Sequence, residues 1–219
     1  SDRVIATIIG VHGDDNGLVL PPDIAPIQVV IVPIPSNNES EAQSVIEYSK
    51  NILNKLVDSK IRCKIDDRPE ITPGEKYYYW EAKGIPVRIE IGSRELKNRT
   101  ITIVRRDTLA RKVVEESNVI KEINLILESI KSNLYERAWK NLQQKIYEFD
   151  NIKEAKDYIN KKGIVEIPWC GKETCANKIM EELEAKSLGT PWPSKKLSGK
   201  KCPICGEKAF TVMRYARQY

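Results

Sequence analysis

Two close pairs of cysteines near the C-terminus place the strongest constraint on how this chain folds. Cys170 and Cys175 form one pair, Cys202 and Cys205 form the other, and 26 residues separate the pairs. Four thiolates in two such pairs are typical of a tetrahedral zinc site, and Gly206 frees the backbone to direct amide groups at sulfur. The pairs must then meet in space, so the C-terminal region is predicted to fold around a metal ion.

Spacing alone leaves other uses of these cysteines open. They could form two disulfides or stay reduced, and an iron–sulfur cluster is a weaker candidate because its usual cysteine spacing differs. An all-cysteine zinc site has no position for a water nucleophile, so the predicted zinc is structural. The fifth cysteine, Cys63, is interpreted as a small buried side chain on a strand. Metal-binding pairs suit a reducing compartment, and a cytoplasmic location is therefore expected.

The composition is that of a folded protein without a transmembrane helix. The 219 residues include 36 Lys and Arg against 31 Asp and Glu, and 41% are hydrophobic. These proportions exclude a disordered or acidic solvating segment, and no apolar run reaches the about 18 residues of a membrane span. The formal net charge of +5 permits a polyanionic partner without establishing one. The chain begins at Ser1 without methionine, and we expect it to be part of a longer protein.

Alternating strand and helix patterns predict an α/β unit in the first half of the chain. The β-branched run at 27–33 is typical of a strand buried on both faces, and apolar residues at helical spacing follow it. Further strands are predicted at 61–65, 86–91 and 100–106. The result is a mixed, mostly parallel sheet flanked by helices, with one antiparallel edge. An apolar stripe from Val113 to Phe149 predicts a long helix that leads to a small α+β domain at the cysteines.

The segment from Thr72 to Gly84 carries contradictory local signals. Its run of aromatic residues favours a strand, but its ends indicate a helix. Thr72 at the cap, Pro73 at the first helical position and Glu75 three residues after the cap form a capping box, and Gly84 ends the helix. A helix is therefore predicted from Pro73 to Lys83.

Charged residues surround this predicted helix, which places Lys76, Tyr79 and Lys83 on one face. Unpaired RNA bases are read by stacking on aromatic or guanidinium planes, and by hydrogen bonds from basic and acidic side chains to base edges. An ordinary solvated surface explains the same pattern equally well. Spacing alone therefore does not decide between base recognition and a solvated surface.

Several phrases of the sequence together resemble archaeal and eukaryote-like prolyl-tRNA synthetase. They are VHGDDNGLVLPPDIAPIQVVIVPI, DDRPEITPGEKYYYWEAKGIPVRIEIG and IVEIPWCGKETCANKI, with CPICG and a terminal YARQY. The resemblance covers essentially the whole chain. It implies the end of a class II catalytic domain at 1–24, an anticodon-binding domain at 25–112, and a helical connection with a zinc-binding domain at 113–219.

The resemblance also implies roles for individual residues. Arg3 would be the motif 3 arginine that contacts ATP phosphate, although Asp2 departs from the family's usual Ser-Thr-Arg. His12 would belong to a structural His-Gly-Asp turn, and the carboxylate of Tyr219 would point toward the catalytic domain. The G35 and G36 bases of the tRNA would be read by Asp67, Arg68, Lys76, Glu81 and Lys83.

The activity implied for the full-length protein is that of a proline-tRNA ligase. Such an enzyme activates proline with ATP and Mg²⁺, transfers it to tRNA(Pro), and is expected to form a homodimer through its catalytic domain. Motifs 1 and 2 are absent here, so the chain alone is expected to be inactive. The alternative interpretation is a stand-alone RNA-binding module without catalytic activity. No membrane partner is expected.

Overall fold

The computed structural model describes residues 1–160 and 163–217, which form two compact units that divide between Ala138 and Trp139. The elements of the first unit are α1 (Asp2–His12), β1 (Val29–Pro33), α2 (Glu39–Asp58), β2 (Cys63–Ile65), α3 (Pro73–Ala82), β3 (Val87–Ile91), α4 (Ser93–Asn98), β4 (Thr100–Arg105), β5 (Arg111–Glu115) and most of α5 (Val119–Gln143).

The five strands of the first unit form one mixed sheet in the order β2-β1-β3-β4-β5. β1 is parallel to β2 and β3, whereas the β3–β4 and β4–β5 pairs are antiparallel. The predicted mixed α/β architecture is confirmed. The prediction of a helix from Val113 is wrong. Val113 lies in β5, where it pairs with Thr102 of β4, and the helix begins only at Val119.

Helices cover the two faces of this sheet differently. On one face, α2 and α5 pack over an apolar cluster that includes Ile31, Ile89 and Ile103. On the opposite face, Trp80 of α3 packs against Val30 and Val32. All five residues of β1 are buried, as predicted, because the strand is central and covered on both sides.

β3 departs from the predicted alternation of buried and outward side chains. The alternation of Val87, Ile89 and Ile91 with Arg88 and Glu90 in the sequence predicts that Glu90 faces outward, but it is buried. Arg88 Nη2 lies 2.9 Å from a carboxylate oxygen of Glu90, and Arg111 of β5 also pairs with this carboxylate. The guanidinium of Arg88 in turn lies 4.2 Å from the ring centre of Tyr77 in α3. This side of the sheet is therefore covered by ion pairs and an aromatic ring.

The second unit is a smaller α+β structure. Its elements are β6 (Ile146–Glu148), α6 (Ile152–Ile159), β7 (Ile164–Trp169), α7 (Glu173–Leu183), β8 (Lys186–Gly189) and β9 (Thr211–Ala216). The strands form a sheet in the order β6-β7-β9-β8, and the helices contribute to its apolar cluster. The predicted continuation of the long helix to Phe149 is wrong, because α5 ends at Gln143 and Ile146 pairs with Ile164. None of the helices in the described residues is long and apolar enough to span a membrane.

Candidate functional site

A cleft of about 420 Å³ opens where β1 and β2 end. The chain leaves β1 through Pro33 and Pro35 toward α2, and it leaves β2 through the loop 66–72 toward α3. Because α2 and α3 lie on opposite faces of the sheet, the two connections diverge and leave a crevice between them. In α/β folds such a switch point at the carboxyl ends of parallel strands is the usual place for a ligand.

Asp66, the first residue after β2, anchors the loop that lines this cleft. It is 3% exposed, and its backbone N–H donates to the carbonyl of Ile31 at 2.8 Å. Its carboxylate accepts hydrogen bonds from Arg68 Nε at 2.7 Å, Arg68 Nη2 at 2.6 Å and Trp80 Nε1 at 2.7 Å. The hydrogen bond from Arg68, opposed by burial and assisted by Trp80, lowers the pKa of Asp66 to about 2. The guanidinium plane of Arg68 is thereby held in one orientation.

The ring of Tyr79 forms an exposed platform beside the cleft. Tyr79 is 43% exposed. The Arg68 guanidinium carbon lies 5.0 Å from the ring centroid, and Lys83 Nζ lies 5.1 Å from it. Both distances are within the range of cation–π attraction. An exposed aromatic ring with a planar guanidinium and an ammonium group over it can stack a base and donate hydrogen bonds to the acceptors of that base.

The N-terminal and C-terminal ends of α3 determine where these side chains stand. The predicted capping box is confirmed, since Thr72 Oγ1 accepts from the Glu75 N–H at 3.3 Å and Glu75 Oε2 accepts from the Thr72 N–H at 2.9 Å. Lys83 is the C-terminal cap residue, and Gly84 follows with a φ of +73°. A Cβ on Gly84 would lie 2.6 Å from Leu18, so both conformation and space require glycine there.

Only part of the predicted base-reading set gathers at the cleft surface. Asp67 is exposed and Arg68 is half-buried, and both line the cleft, with Lys83 nearby across Tyr79. Glu81 also belongs to α3, but it lines a separate small cavity together with Arg105 and Arg106. Asp67, Arg68 and Lys83 therefore form the accessible group.

The prediction that Lys76 shares an exposed face with Tyr79 and Lys83 is wrong. Lys76 is 3% exposed, and its Nζ donates to the backbone carbonyl of Asp66 at 3.1 Å. The loop after β2 folds over this part of α3, which helical periodicity could not reveal. Asp66 and Trp80 were missed as site residues, although an acid directly after a strand of a parallel sheet was a usable signal.

Arg3 and His12 belong to α1 and do not line the cleft. Arg3 is exposed in the first turn of α1, and Tyr219 lies outside the described residues. His12 ends α1, and its carbonyl accepts from Arg137 Nη2 at 3.0 Å. Asp14 follows in a turn that bridges to Gly17, as the turn-forming residues predicted.

The four clustered cysteines converge in the second unit. Cys170 follows β7, Cys175 lies in the first turn of α7, and Cys202 and Cys205 belong to the turn that precedes β9. All four sulfur atoms lie within 4.8 Å of one another, and Cys205 Sγ is 3.6 Å from Cys170 Sγ. A tetrahedron with Zn–S bonds of about 2.3 Å has sulfur–sulfur edges of about 3.8 Å. The four cysteines are thus placed to bind one metal ion, and all are free thiols.

The surroundings of the sulfur atoms also fit a metal–thiolate centre. Burial would raise the pKa of Cys202, but hydrogen bonds from the backbone amides of Cys205, Ile204 and Cys170 lower it below its ordinary value. The hydroxyl of Tyr215 is buried and has no hydrogen-bond partner among the residues that the structure describes. Its pKa is raised by burial first, and then by the charges of Cys202 and Cys175. A metal-bound thiolate would supply the missing acceptor.

Two protein families match separate parts of this chain. Residues 28–125 match the family described as "Anticodon binding domain", and residues 152–219 match "Prolyl-tRNA synthetase, C-terminal". Together the two matches cover most of the chain. The cleft and the Tyr79 platform lie within the first match, and all four clustered cysteines lie within the second.

Relatives that carry the name proline-tRNA ligase align with the chain along its whole length. Proteins named proline-tRNA ligase are 48% identical in Thermococcus kodakarensis, 46% in Pyrococcus horikoshii and 43% in Aeropyrum pernix. Each alignment covers 100% of this chain and 46% of the relative. The chain thus spans about half the length of the curated relatives it matches.

Proposed function

We propose that this chain provides the anticodon recognition of a proline-tRNA ligase. The observation that carries the proposal is the Arg68–Tyr79–Lys83 group, held by buried Asp66 beside a switch-point cleft within the anticodon-binding match. The full-length enzyme would activate proline with ATP and Mg²⁺ in the cytoplasm, pass it to tRNA(Pro), and dimerise through its catalytic domain.

The chemistry of guanine suits this group of side chains. A guanine edge offers O6 and N7 as acceptors and carries N–H donors on its pairing edge. Arg68 uses Nε and Nη2 to hold Asp66, which leaves the Nη1 donors for a base. The exposed carboxylate of Asp67 would accept from the guanine N–H groups, while Tyr79 stacks and Lys83 donates to a carbonyl or phosphate oxygen. Lys76 would act indirectly, by holding the loop at Asp66.

Replacing Lys83 with alanine tests this interface. We expect Lys83→Ala to weaken binding of the tRNA(Pro) anticodon stem-loop by about 1 to 3 kcal/mol, the usual worth of a base contact. The measurement is a fluorescence titration at fixed salt. Lys50→Ala is the matched control, since Lys50 is an exposed lysine of α2, on the opposite side of the sheet. If both variants lost the same binding free energy, Lys83 would contribute only its positive charge and no specific base contact.

We propose that the four-cysteine centre binds zinc in a structural role. Soft thiolates in a tetrahedral set select zinc or iron–sulfur chemistry, and four protein ligands leave no open coordination position. When bound, zinc would join the loop after β7, the start of α7 and the turn before β9. Cys170, Cys175, Cys202 and Cys205 would hold it, and the amides around Cys202 would stabilise the thiolate charge.

Replacing the buried hydroxyl of Tyr215 tests metal binding without changing any of the four cysteines. If the hydroxyl donates to a metal-bound thiolate, Tyr215→Phe should weaken zinc binding by about 10-fold or more, as other changes around ligands do. The variant should still bind about one zinc per chain at saturation, because the four cysteines that would hold the ion are unchanged. Competition with a chromogenic chelator measures the affinity. Unchanged affinity would show that the hydroxyl does not contact a ligand.

The domain borders and the terminal residues complete the proposal. Residues 1–24 would close a class II catalytic domain in which Arg3 contacts ATP phosphate, and the Tyr219 carboxylate would face the same domain. Residues 25–112 would bind the anticodon, and 113–219 would form the connection and the zinc-binding domain. The first half of α5 packs into the core of the first unit, which supports an anticodon-binding unit that includes this helix. Glu81 stays a proposed anticodon contact on the resemblance alone.

A further inference from the structure

Positive charge is concentrated in one segment of the second unit. Residues 186–210 contain six lysines and one glutamate, a formal net charge of +5 that equals the net charge of the whole chain. Most of the chain is therefore close to neutral, and this segment is the exception. A local excess of this kind produces a field that attracts polyanions.

Two of these lysines face each other across a short β-bridge beside the metal centre. Lys201 and Lys208 are antiparallel partners. The flanking hydrogen bonds run from the Cys202 N–H to the Glu207 carbonyl at 2.8 Å and from the Ala209 N–H to the Lys200 carbonyl at 3.0 Å. This is the non-hydrogen-bonded type of pair, in which the opposed side chains approach most closely. Like charges directly opposite each other are destabilising.

Neither lysine of this pair has a carboxylate partner within the described residues, unlike several neighbouring lysines. Lys200 pairs with Glu148 at 2.6 Å, Lys172 pairs with Glu207 at 2.5 Å, and Lys195 pairs with Glu166. Within the residues that the structure describes, the repulsion between Lys201 and Lys208 is thus not offset by a paired carboxylate.

An exposed aromatic ring completes the same surface. Phe210 is 68% exposed and stands two residues after Lys208, which places both side chains on one side of the extended chain. The intervening Ala209 is buried, as this alternation requires. We call the surface formed by Lys201, Lys208 and Phe210 the knuckle face.

We propose that the knuckle face binds an RNA strand, with a phosphate between Lys201 and Lys208 and an unpaired base stacked on Phe210. Opposed cations without a carboxylate partner among the described residues suit a phosphate, and a bare aromatic ring beside them suits a base. An acidic protein segment would satisfy the lysines but would leave the ring without a stacking partner. The proposal rests on the proposed function only for its choice of tRNA as the RNA.

The charge part of the proposal is tested with the full chain and a double variant. Lys201→Ala/Lys208→Ala should weaken tRNA(Pro) binding by at least about 10-fold and reduce the slope of log K against log salt by about 1 to 2. Lys153→Ala/Lys178→Ala removes two exposed lysines of α6 and α7 in the same unit and should change little. Equal losses for the two double variants would overturn the proposal, as would an unchanged affinity for the first. Metal content measured for every variant confirms that the unit is folded.

The stacking part is tested at Phe210. Phe210→Ala should weaken binding by about 10-fold without changing the salt slope, and Phe210→Trp should restore the affinity. Competition by polyglutamate as effective as competition by single-stranded oligouridine would overturn the base-stacking arrangement. A tRNA with an exchanged anticodon separates this inference from the proposed function. The knuckle-face variants should weaken both tRNAs equally, whereas Lys83→Ala should change the ratio between them.

Discussion

Replacing Cys202 with serine is expected to release the metal and unfold residues 139–217, while residues 1–138 stay folded. Cys202 is 1% exposed, and its sulfur is one of four that converge within 4.8 Å. Structural zinc sites contribute about 10 to 16 kcal/mol to folding, whereas a whole domain is stable by only about 5 to 15 kcal/mol. The second unit is small and has few apolar residues around the turn at Cys202 and Cys205, so its core should not compensate for that loss.

Elemental analysis and limited proteolysis measure this expected result. The wild-type chain should contain about one zinc per molecule and show no visible absorption of an iron–sulfur cluster. Cys202→Ser should lack zinc and be cleaved after Trp139, with a resistant fragment left from the first unit. Cys63→Ser is the matched control, because Cys63 is half-buried on β2, far from the cluster in sequence. A zinc-free variant that resists protease as well as wild type would contradict the structural role.

Replacing Asp66 with alanine is expected to lower the free energy of unfolding by about 3 kcal/mol. The change removes the acceptor for Arg68 and leaves the buried Trp80 N–H without a partner. Asp67→Ala, one residue further on, is the control, because Asp67 is exposed and the network is made by Asp66, Arg68 and Trp80, so this change should alter stability by less than about 0.5 kcal/mol. Urea unfolding of both variants measures the difference. Equal stabilities would show that the anchor at Asp66 is not needed for the fold.

The same residue gives the stability a defined pH dependence. The pKa of Asp66 lies at about 2 in the folded protein, below its ordinary value of 3.8. Because the folded state favours the ionised form, its contribution is complete above about pH 4 and is lost as the pH falls toward 2, by about 2 kcal/mol in total. Asp66→Asn should therefore show a flatter pH profile than wild type in this range. Parallel profiles would show that other carboxylates dominate acid unfolding.

The anchor at Asp66 also connects stability to recognition. It orients the Arg68 guanidinium against Tyr79, so freeing Arg68 should reduce the discrimination between matched and exchanged anticodons. The anchored side chain enters binding with less entropy to lose than a freely rotating arginine. Under the proposed function, Asp66 would act as a positioning residue, and Arg68 and its neighbours would make the base contacts.

Local signals in the sequence were sufficient for the elements that depend on a few neighbouring residues. The capping box at Thr72 and Glu75, the doubly buried β1 and the meeting of the cysteine pairs all follow from side chains close in sequence or from ligand chemistry. The sequence also carried the resemblance that the family matches confirmed. It could not show that Arg111–Glu115 forms a strand, because pairing with β4 outweighs a weak helical pattern.

Tertiary structure alone decided which residues of the predicted site are accessible. Lys76 and Lys83 share a helix and a charge, yet a loop anchored on a different strand covers Lys76 and leaves Lys83 exposed. The bridge that opposes Lys201 and Lys208 likewise depends on how the chain turns around the cysteines. Helical and strand periodicity indicate the direction of a side chain, but burial is determined by segments that arrive from elsewhere in the chain.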